Sequence, residues 1–500
     1  VTGLFDQLVL GFSVALTPAN LLYCLIGAVL GTLIGVLPGI GPISTIAMLL
    51  PATFALEPVS ALIMLAGIYY GAQYGGSTTA ILVNLPGESS SVVTCLDGYA
   101  MARQGRAGPA LAVSALGSFF AGCVGTLLIV LFGPPLAELA LRFGPAEYAS
   151  LMVLGLVSAA VLAHGSLLKA IAMVLLGLLL GLVGTDVNSG MFRYSFGIPE
   201  LADGIGFVVV AMGMFGIAEI VSSLEDGTHR EVFTRRIEGL MPTRDDLRAA
   251  WGAIVRGTAV GSLLGLIPGS GPIVSSFAAY TVEKRLAKDP GRFGRGAIEG
   301  VASPESANNA SAQTTFIPML TLGIPGTATM ALMLGALMIH GIAPGPQVMT
   351  QHPQLFWGLI ASMWLGNLML VLLNLPLIGV WVRLLTVPYR LLYPAIILFS
   401  CVGVYSLGNS PVDVLLTALF GGLGYVCAKL DCEAAPLLLG FVLGRLMEEN
   451  VRRALLLSRG DASVFLTRPI SLAFMLASAL MLIAMVLPAV RRKREEALQE

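Results

Sequence analysis

Two short strings combine residue types and spacing suited to holding an ion or an anion inside a membrane. The first is Gly35-Val36-Leu37-Pro38-Gly39-Ile40-Gly41-Pro42-Ile43-Ser44-Thr45. The second, 230 positions later, is Gly265-Leu266-Ile267-Pro268-Gly269-Ser270-Gly271-Pro272-Ile273-Val274-Ser275. Over residues 31–45 and 261–275, 8 of 15 positions are identical, too many for two unrelated kinks. A lipid-facing helix has no use for such a break, because each freed N–H and C=O must find a partner. Matching breaks in two halves of a chain point to a transporter binding site. A helix that starts at a break presents free N–H groups and about half a positive charge, enough to hold a carboxylate without a buried cation. Gly39, Gly41, Gly269 and Gly271 permit close backbone approach. Pro38, Pro42, Pro268 and Pro272 restrict the chain and remove donors. The freed carbonyls, with the hydroxyls of Ser44, Ser77, Thr78, Thr79, Ser275, Thr314 and Thr315, are oxygen ligands suited to Na⁺. The competing reading is a plain kink or a tight helix crossing.

Two more polar strings stand beside these. In Asn84-Leu85-Pro86-Gly87-Glu88-Ser89-Ser90-Ser91, Asn84 can cap a helix or touch substrate and the serines can donate hydrogen bonds; a capped helix end with a solvated turn is the alternative. The run from Ser303 to Thr315 has no basic residue. Its Glu305, Asn308 and Asn309 are expensive at membrane depth unless they line a cavity. Glu305 reads as a coupling-ion ligand or proton carrier, or as a cytoplasmic loop carboxylate. The repeat continues here: Thr314-Thr315 matches Thr78-Thr79, and Ile324-Pro325-Gly326 matches Leu85-Pro86-Gly87 with three extra residues. The candidate substrate residues are therefore Gly39, Gly41, Pro42, Ser44, Asn84, Pro86, Gly87, Gly269, Gly271, Pro272, Asn308, Asn309, Pro325 and Gly326. The candidate coupling-ion residues are Ser77, Thr78, Thr79, Ser275, Glu305, Thr314 and Thr315. Glu219 reads as a snorkelling carboxylate near a span end, and Tyr69, Tyr70 and Tyr74 as an interfacial belt rather than a binding surface.

The elements that must position these residues are membrane helices. The chain is 56% hydrophobic and 11% charged, against about 25% charge in soluble domains. Its 500 residues have room for roughly 11–13 crossings. A net charge of −1 leaves no nucleic-acid footprint. The six cysteines show no CxxC pair and read as small core hydrophobes, with no metal site. No phosphate-binding Gly-Lys-Ser/Thr and no HExxH occurs, so transport draws on an ion gradient or on another chain. Residues 1–17 read as an interfacial or first helix. A first span of about 21–37 ends in the Pro-Gly break. A third, about 59–74, ends at Gly75-Gly76, and the piece 80–85 is too short to cross by itself.

Loop charge orients the spans. The connector at 56–60 has no basic residue, whereas the later first-half loop has Arg103 and Arg106. In the second copy the charges swap: Lys284, Arg285, Lys288, Arg292 and Arg295 lie on the early connector, and residues 340–354 have no Lys or Arg. Basic loops face the cytoplasm, so equivalent loops lie on opposite sides and the repeats read as inverted. The expected fold is all-α and polytopic, with about 12 transmembrane helices and two inverted repeats carrying broken or re-entrant helices. Residues 1–223 form the first half, 224–248 a charged cytoplasmic linker, and 249–500 the second half with a cytoplasmic Arg491-Arg492-Lys493-Arg494 tail.

With these residues in view, the chain resembles the large membrane subunit of the tripartite tricarboxylate transporter family. The resemblance rests on Leu37-Pro38-Gly39-Ile40-Gly41-Pro42, on the string from Tyr70 to Gly87 (YGAQYGGSTTAILVNLPG), and on Pro304-Glu305-Ser306-Ala307-Asn308-Asn309-Ala310. It covers almost the whole chain. It implies a multi-pass secondary transporter of the bacterial inner membrane and no enzyme. It also implies a periplasmic solute-binding protein, a small membrane subunit of about four spans, and a tricarboxylate such as citrate or another carboxylate as substrate. Na⁺ or H⁺ would be the coupling ion, with no other cofactor. A gated channel or passive facilitator for small organic anions is the alternative.

Overall fold

Small residues at four-residue spacing set the architecture. In helix α1 (Pro18–Val36), Gly27, Gly31 and Gly35 lie on one stripe. A methyl at any of them would overlap the carbonyl of Met64, Ile68 or Ala72 on α3 (Pro58–Val83), so the two backbones lie in contact. In α7 (Arg244–Gly265), Gly257, Gly261 and Gly265 form the same stripe, and a methyl there would overlap the carbonyls of Ser303, Ala307 and Ser311 on α9 (Glu299–Thr314). Lipid offers no hydrophobic drive between helices, so close packing of small residues holds such pairs together. Between the members of each pair runs a short helix that opens at the Gly-Pro of a break: α2 (Pro42–Thr53) in the first half and α8 (Gly271–Leu286) in the second.

The computed structural model describes residues 2–37, 41–163, 166–186, 189–226, 239–384 and 392–486. Pro38, Gly39 and Ile40, residues 227–238 of the charged linker and the basic tail lie outside the described residues. Among those described, structure is helical apart from a two-stranded ribbon pairing Gly184–Thr185 with Phe192–Arg193. Four helices are long and apolar enough to cross a membrane: α1, α4 (Ala107–Ala140), α12 (Pro353–Asn374) and α13 (Pro411–Lys429). Shorter apolar helices include α2, α5 (Pro145–Leu162) and α11 (Ala328–Ile339). With α6 (Ala218–Asp226) and α14 (Ala434–Leu457), these elements build a multi-pass membrane protein.

Three expectations change. The third span does not end at Gly75-Gly76: α3 runs unbroken for 26 residues, because Gly75 packs on the backbone of α1 and Gly76 on Glu88. Tyr69, Tyr70 and Tyr74 are 2%, 0% and 3% exposed, so they are core residues and not an interfacial belt. The polar run 303–315 is no loop. Residues 300–314 of α9 are all buried, because helices on several sides share the cost of its polar groups. The fold equivalence of the halves extends to the helix ends. Asn84 caps α3 in the left-handed conformation (φ 58°), and Gly323 does the same (φ 70°) for α10 (Phe316–Leu322), each just before its x-Pro-Gly string. The three extra residues of the second copy lengthen the helix between the Thr-Thr pair and the cap, which runs over 316–322 there and over 80–83 in the first copy.

The halves are also clasped. Asp97 is fully buried. Its Oδ1 accepts the backbone N–H groups of Gly294, Gly296 and Ala297 at 2.8–2.9 Å, and its Oδ2 accepts the Tyr280 hydroxyl at 2.9 Å. A carboxylate held by three amides is firmly fixed, and here it ties the segment after α3 to the basic connector after α8.

Candidate functional site

Both breaks open into one cavity of about 460 Å³, within the size range of small-molecule sites. Gly41, Pro42 and Ser44 line it from the first break, and Gly269, Gly271 and Pro272 from the second. Pro86 and Gly87 line it from the string after α3, and Gly326 from its counterpart after α10. The two halves therefore meet at this cavity through corresponding residues.

Helix N-termini dominate its wall. The N-caps of α2 (Gly41), α8 (Ser270) and α14 (Glu433) border the cavity, and none receives a side-chain cap. The N-cap of α11, Thr327, also borders it, with its hydroxyl accepting the N–H of Met330 at 3.2 Å. Four positive dipole ends at one cavity can hold an anion by backbone alone. The titratable side chains on the wall have the opposite sign. Glu88, Glu219 and Glu433 line it, and no Lys, Arg or His does among the described residues. Glu88 accepts the N–H of Ser90 and the Gln73 side-chain amide, each at 3.2 Å. The Ser90 hydroxyl in turn donates to Gln73 Oε1 at 2.7 Å. The wall thus combines backbone N–H groups, which can hold an anion, with carboxylates, which can attract a cation.

A second polar centre lies apart from the cavity. Glu305 is 0% exposed. Ser77 donates to its Oε2 at 2.5 Å, Thr94 donates to its Oε1, and the Asn308 amide lies 3.4 Å from Oε2. Its place in α9 removes the loop-carboxylate reading. Asn309 donates to Ser118 Oγ at 2.8 Å and to the Glu305 carbonyl at 3.0 Å. The two centres are joined along α3. Tyr69, Gln73 and Ser77 succeed one another at four-residue spacing, hence on one face; the first two line the cavity and the third holds Glu305.

The other candidate residues are placed differently. Thr78 borders a water-sized void with Ser77, Ser114 and Asn374. Thr79 donates to the Val36 carbonyl at 2.8 Å and so fastens α3 to α1. Ser275, Thr314 and Thr315 bond carbonyls of their own helices, of Gly271, Ala310 and Ala312. Asn84 is an exposed cap, and Pro325 is buried beside the cavity-lining Gly326. Asn308 and Asn309 belong to the Glu305 centre and not to the cavity wall. Gly39 lies outside the described residues.

Sequence reasoning passed over Gln73, Glu88, Thr327, Glu433 and Thr94 as site residues, and read Glu219 as a snorkelling group. Thr327 carried a signal: a Thr after Pro-Gly and before an apolar run is an N-cap pattern. Thr94 carried none, because it meets Glu305 across 211 residues of chain.

No solved structure matches the chain. An Agrobacterium vitis protein titled "Uncharacterized 52.8 kDa protein in TAR-I ttuC' 3'region" is 57% identical over 497 residues, 99% of each chain. A second protein of that organism, "Uncharacterized protein in TAR-II ttuC' 3'region", is 58% identical over 240 residues, covering 48% of this chain and 99% of its own length. The profile of the tripartite tricarboxylate transporter TctA family matches residues 21–439, and the chain belongs to that family.

Proposed function

We propose that this chain is the membrane-spanning transport subunit of a binding-protein-dependent secondary transporter that imports carboxylates of the citrate type or close relatives. The observation that carries the reading is the cavity where helix N-termini from both halves meet with no basic side chain among the described residues. Backbone amides hold a carboxylate while letting it leave, which a buried Arg pair would hinder. The driving force is a Na⁺ or proton gradient, and Glu305 is the charged group placed to sense it. The swapped loop charges support inverted repeats in about 12 spans, with the linker and basic tail in the cytoplasm. A periplasmic solute-binding protein delivers the substrate, and a small membrane subunit of about four spans completes the complex in the bacterial inner membrane.

Uptake of labelled carboxylates into proteoliposomes holding both membrane subunits, with the binding protein outside, tests this. Accumulation above the external concentration that stops when the Na⁺ and proton gradients are collapsed is the expected result. Flux without accumulation would mean a gated channel or facilitator. No carboxylate flux under any gradient would overturn the reading.

A further inference from the structure

Tyr69 lines the cavity and is 2% exposed, and its hydroxyl has no hydrogen-bond partner among the described residues. The Thr315 and Thr327 hydroxyls are its polar neighbours, but neither meets it with hydrogen-bond geometry. Thr315 donates to the Ala312 carbonyl, and Thr327 accepts the N–H of Met330. One turn further along α3, Gln73 is fully paired by contrast: its amide reaches Glu88 and its carbonyl takes the Ser90 hydroxyl. A buried phenol without a partner is uncommon in native proteins and points to a group that the chain itself does not supply.

The donors and acceptors on the wall indicate what that group is. Glu88 lines the same cavity, within electrostatic reach of Tyr69. Each of its two oxygens accepts one N–H, from Ser90 and from Gln73, so each has a lone pair to spare. Tyr69 and Glu88 together offer one O–H donor and one free acceptor. A ligand hydroxyl satisfies both, accepting from Tyr69 and donating to Glu88. A ligand carboxylate set there would bring only lone pairs to Glu88, and an ammonium group would leave the Tyr69 proton unmet. The ligand's carboxylates have other partners on the same wall, the helix N-termini at Gly41 and Ser270.

We propose that Tyr69 and Glu88 read a hydroxyl on the bound carboxylate, so that the cavity selects hydroxy acids over their deoxy counterparts. The inference rests on the transport reading for the identity of the site and narrows its substrate class. A site built to bond a hydroxyl rejects the analogue that lacks it, because the analogue leaves the site's own polar groups unpaired. Binding is measurable without transport, so the two readings fail separately.

The test compares acids that differ by one hydroxyl: malate with succinate, citrate with tricarballylate, and lactate with propionate. Binding to the purified full chain is read as the concentration that gives half the rise in unfolding midpoint, and transport as uptake of each labelled acid into proteoliposomes. In at least one pair the hydroxy acid should bind at least tenfold more tightly than its deoxy partner, and aspartate should bind no better than succinate. Tyr69→Phe should bring that pair within about threefold by weakening the hydroxy acid and leaving the deoxy acid as it was. Its unfolding midpoint without ligand should not fall, because the hydroxyl has no partner to lose. Glu88→Gln, which turns one accepting oxygen into a donating amide, should narrow the same ratio and serves if Tyr69→Phe does not fold. Tyr405→Phe, at an exposed tyrosine, should leave the ratio intact. Equal binding of both members of every pair, absence of binding by every acid tested, tighter binding of aspartate than of malate, or an unchanged ratio in the Tyr69 variant would overturn the inference. Absence of carboxylate flux with the hydroxyl preference in binding intact would count against the transport reading alone.

Discussion

The two glycine-striped helix pairs have the same frame and different contents. α1 and α3 touch along Gly27, Gly31 and Gly35, as α7 and α9 do along Gly257, Gly261 and Gly265. Yet α3 is a single, mostly apolar helix without a carboxylate, whereas α9 is polar, ends at Thr314 and carries Glu305, Asn308, Asn309 and Gln313. The difference teaches that the same glycine-striped frame carries different polar contents, with Glu305 on α9 and no carboxylate on α3. Both copies give helix N-termini to the cavity, and Glu305 comes from the glycine-striped pair of the second. On the proposed function, the halves would share the binding of the anion, while Glu305 would answer to the ion from one of them.

The sharpest way to break the comparison is to attack the shared frame. Gly31→Leu and Gly261→Leu should each destabilise by more than about 3 kcal/mol, since a side chain meeting backbone carbonyl cannot be relieved by a rotamer change. Both should lose folded protein in detergent, measured by size-exclusion recovery. A large loss at Gly261 with none at Gly31 would mean the pairs are not equivalent.

The next effect separates contents from frame. Glu305→Gln should insert and fold, yet lower carboxylate uptake at least tenfold and alter its dependence on cation concentration. The change keeps the shape, removes the charge and turns one accepting oxygen into a donating amide. Unchanged cation activation would reduce Glu305 to a packing residue and erase the asymmetry drawn above.

A smaller effect compares the two breaks. Gly41 has ordinary extended backbone (φ −77°) and open space around it. Gly271 has φ +51°, and a methyl there would lie 2.9 Å from Thr327 Cγ2. Gly271→Ala should therefore cost about 1–2 kcal/mol by left-handed strain alone, and Gly41→Ala almost nothing, read as shifts in unfolding midpoint. The smallest effect is at the matched caps. Asn84→Gly should be neutral within about 0.5 kcal/mol, and Asn84→Ala should cost about 1 kcal/mol, because only the alanine resists φ 58°. Similar costs for both changes would mean the cap is not what stops α3.

Parts of the site were legible because they are local or repeated. The Pro-Gly and Gly-Pro strings announce themselves by composition, and their second copy made them a pair. The polar run around Glu305 announces itself by cost in an apolar chain. The four-residue glycine spacing was also present in the sequence, and it marks the helix pairs more directly than the spans do. Other features were not legible. The Gly75-Gly76 pair looks like a helix end, and only its packing on α1 and Glu88 keeps α3 continuous. Tyr69 looks like a membrane-surface aromatic until the helices around it are in place.

What the sequence determined by itself was a helical membrane protein with a duplicated break and one costly carboxylate, since hydropathy, repetition and charge are properties of the chain. Tertiary structure alone decided that Gly41, Gly271, Pro86 and Gly326 face one cavity, that Ser77 and Thr94 hold Glu305, and that Thr79 fastens α3 to α1 while Thr315 bonds its own stretch of chain. The physical reason is that a polar group in a membrane protein takes whichever partner packing brings near. That partner is set by which helices lie against each other and at what height, which spacing along the chain does not encode.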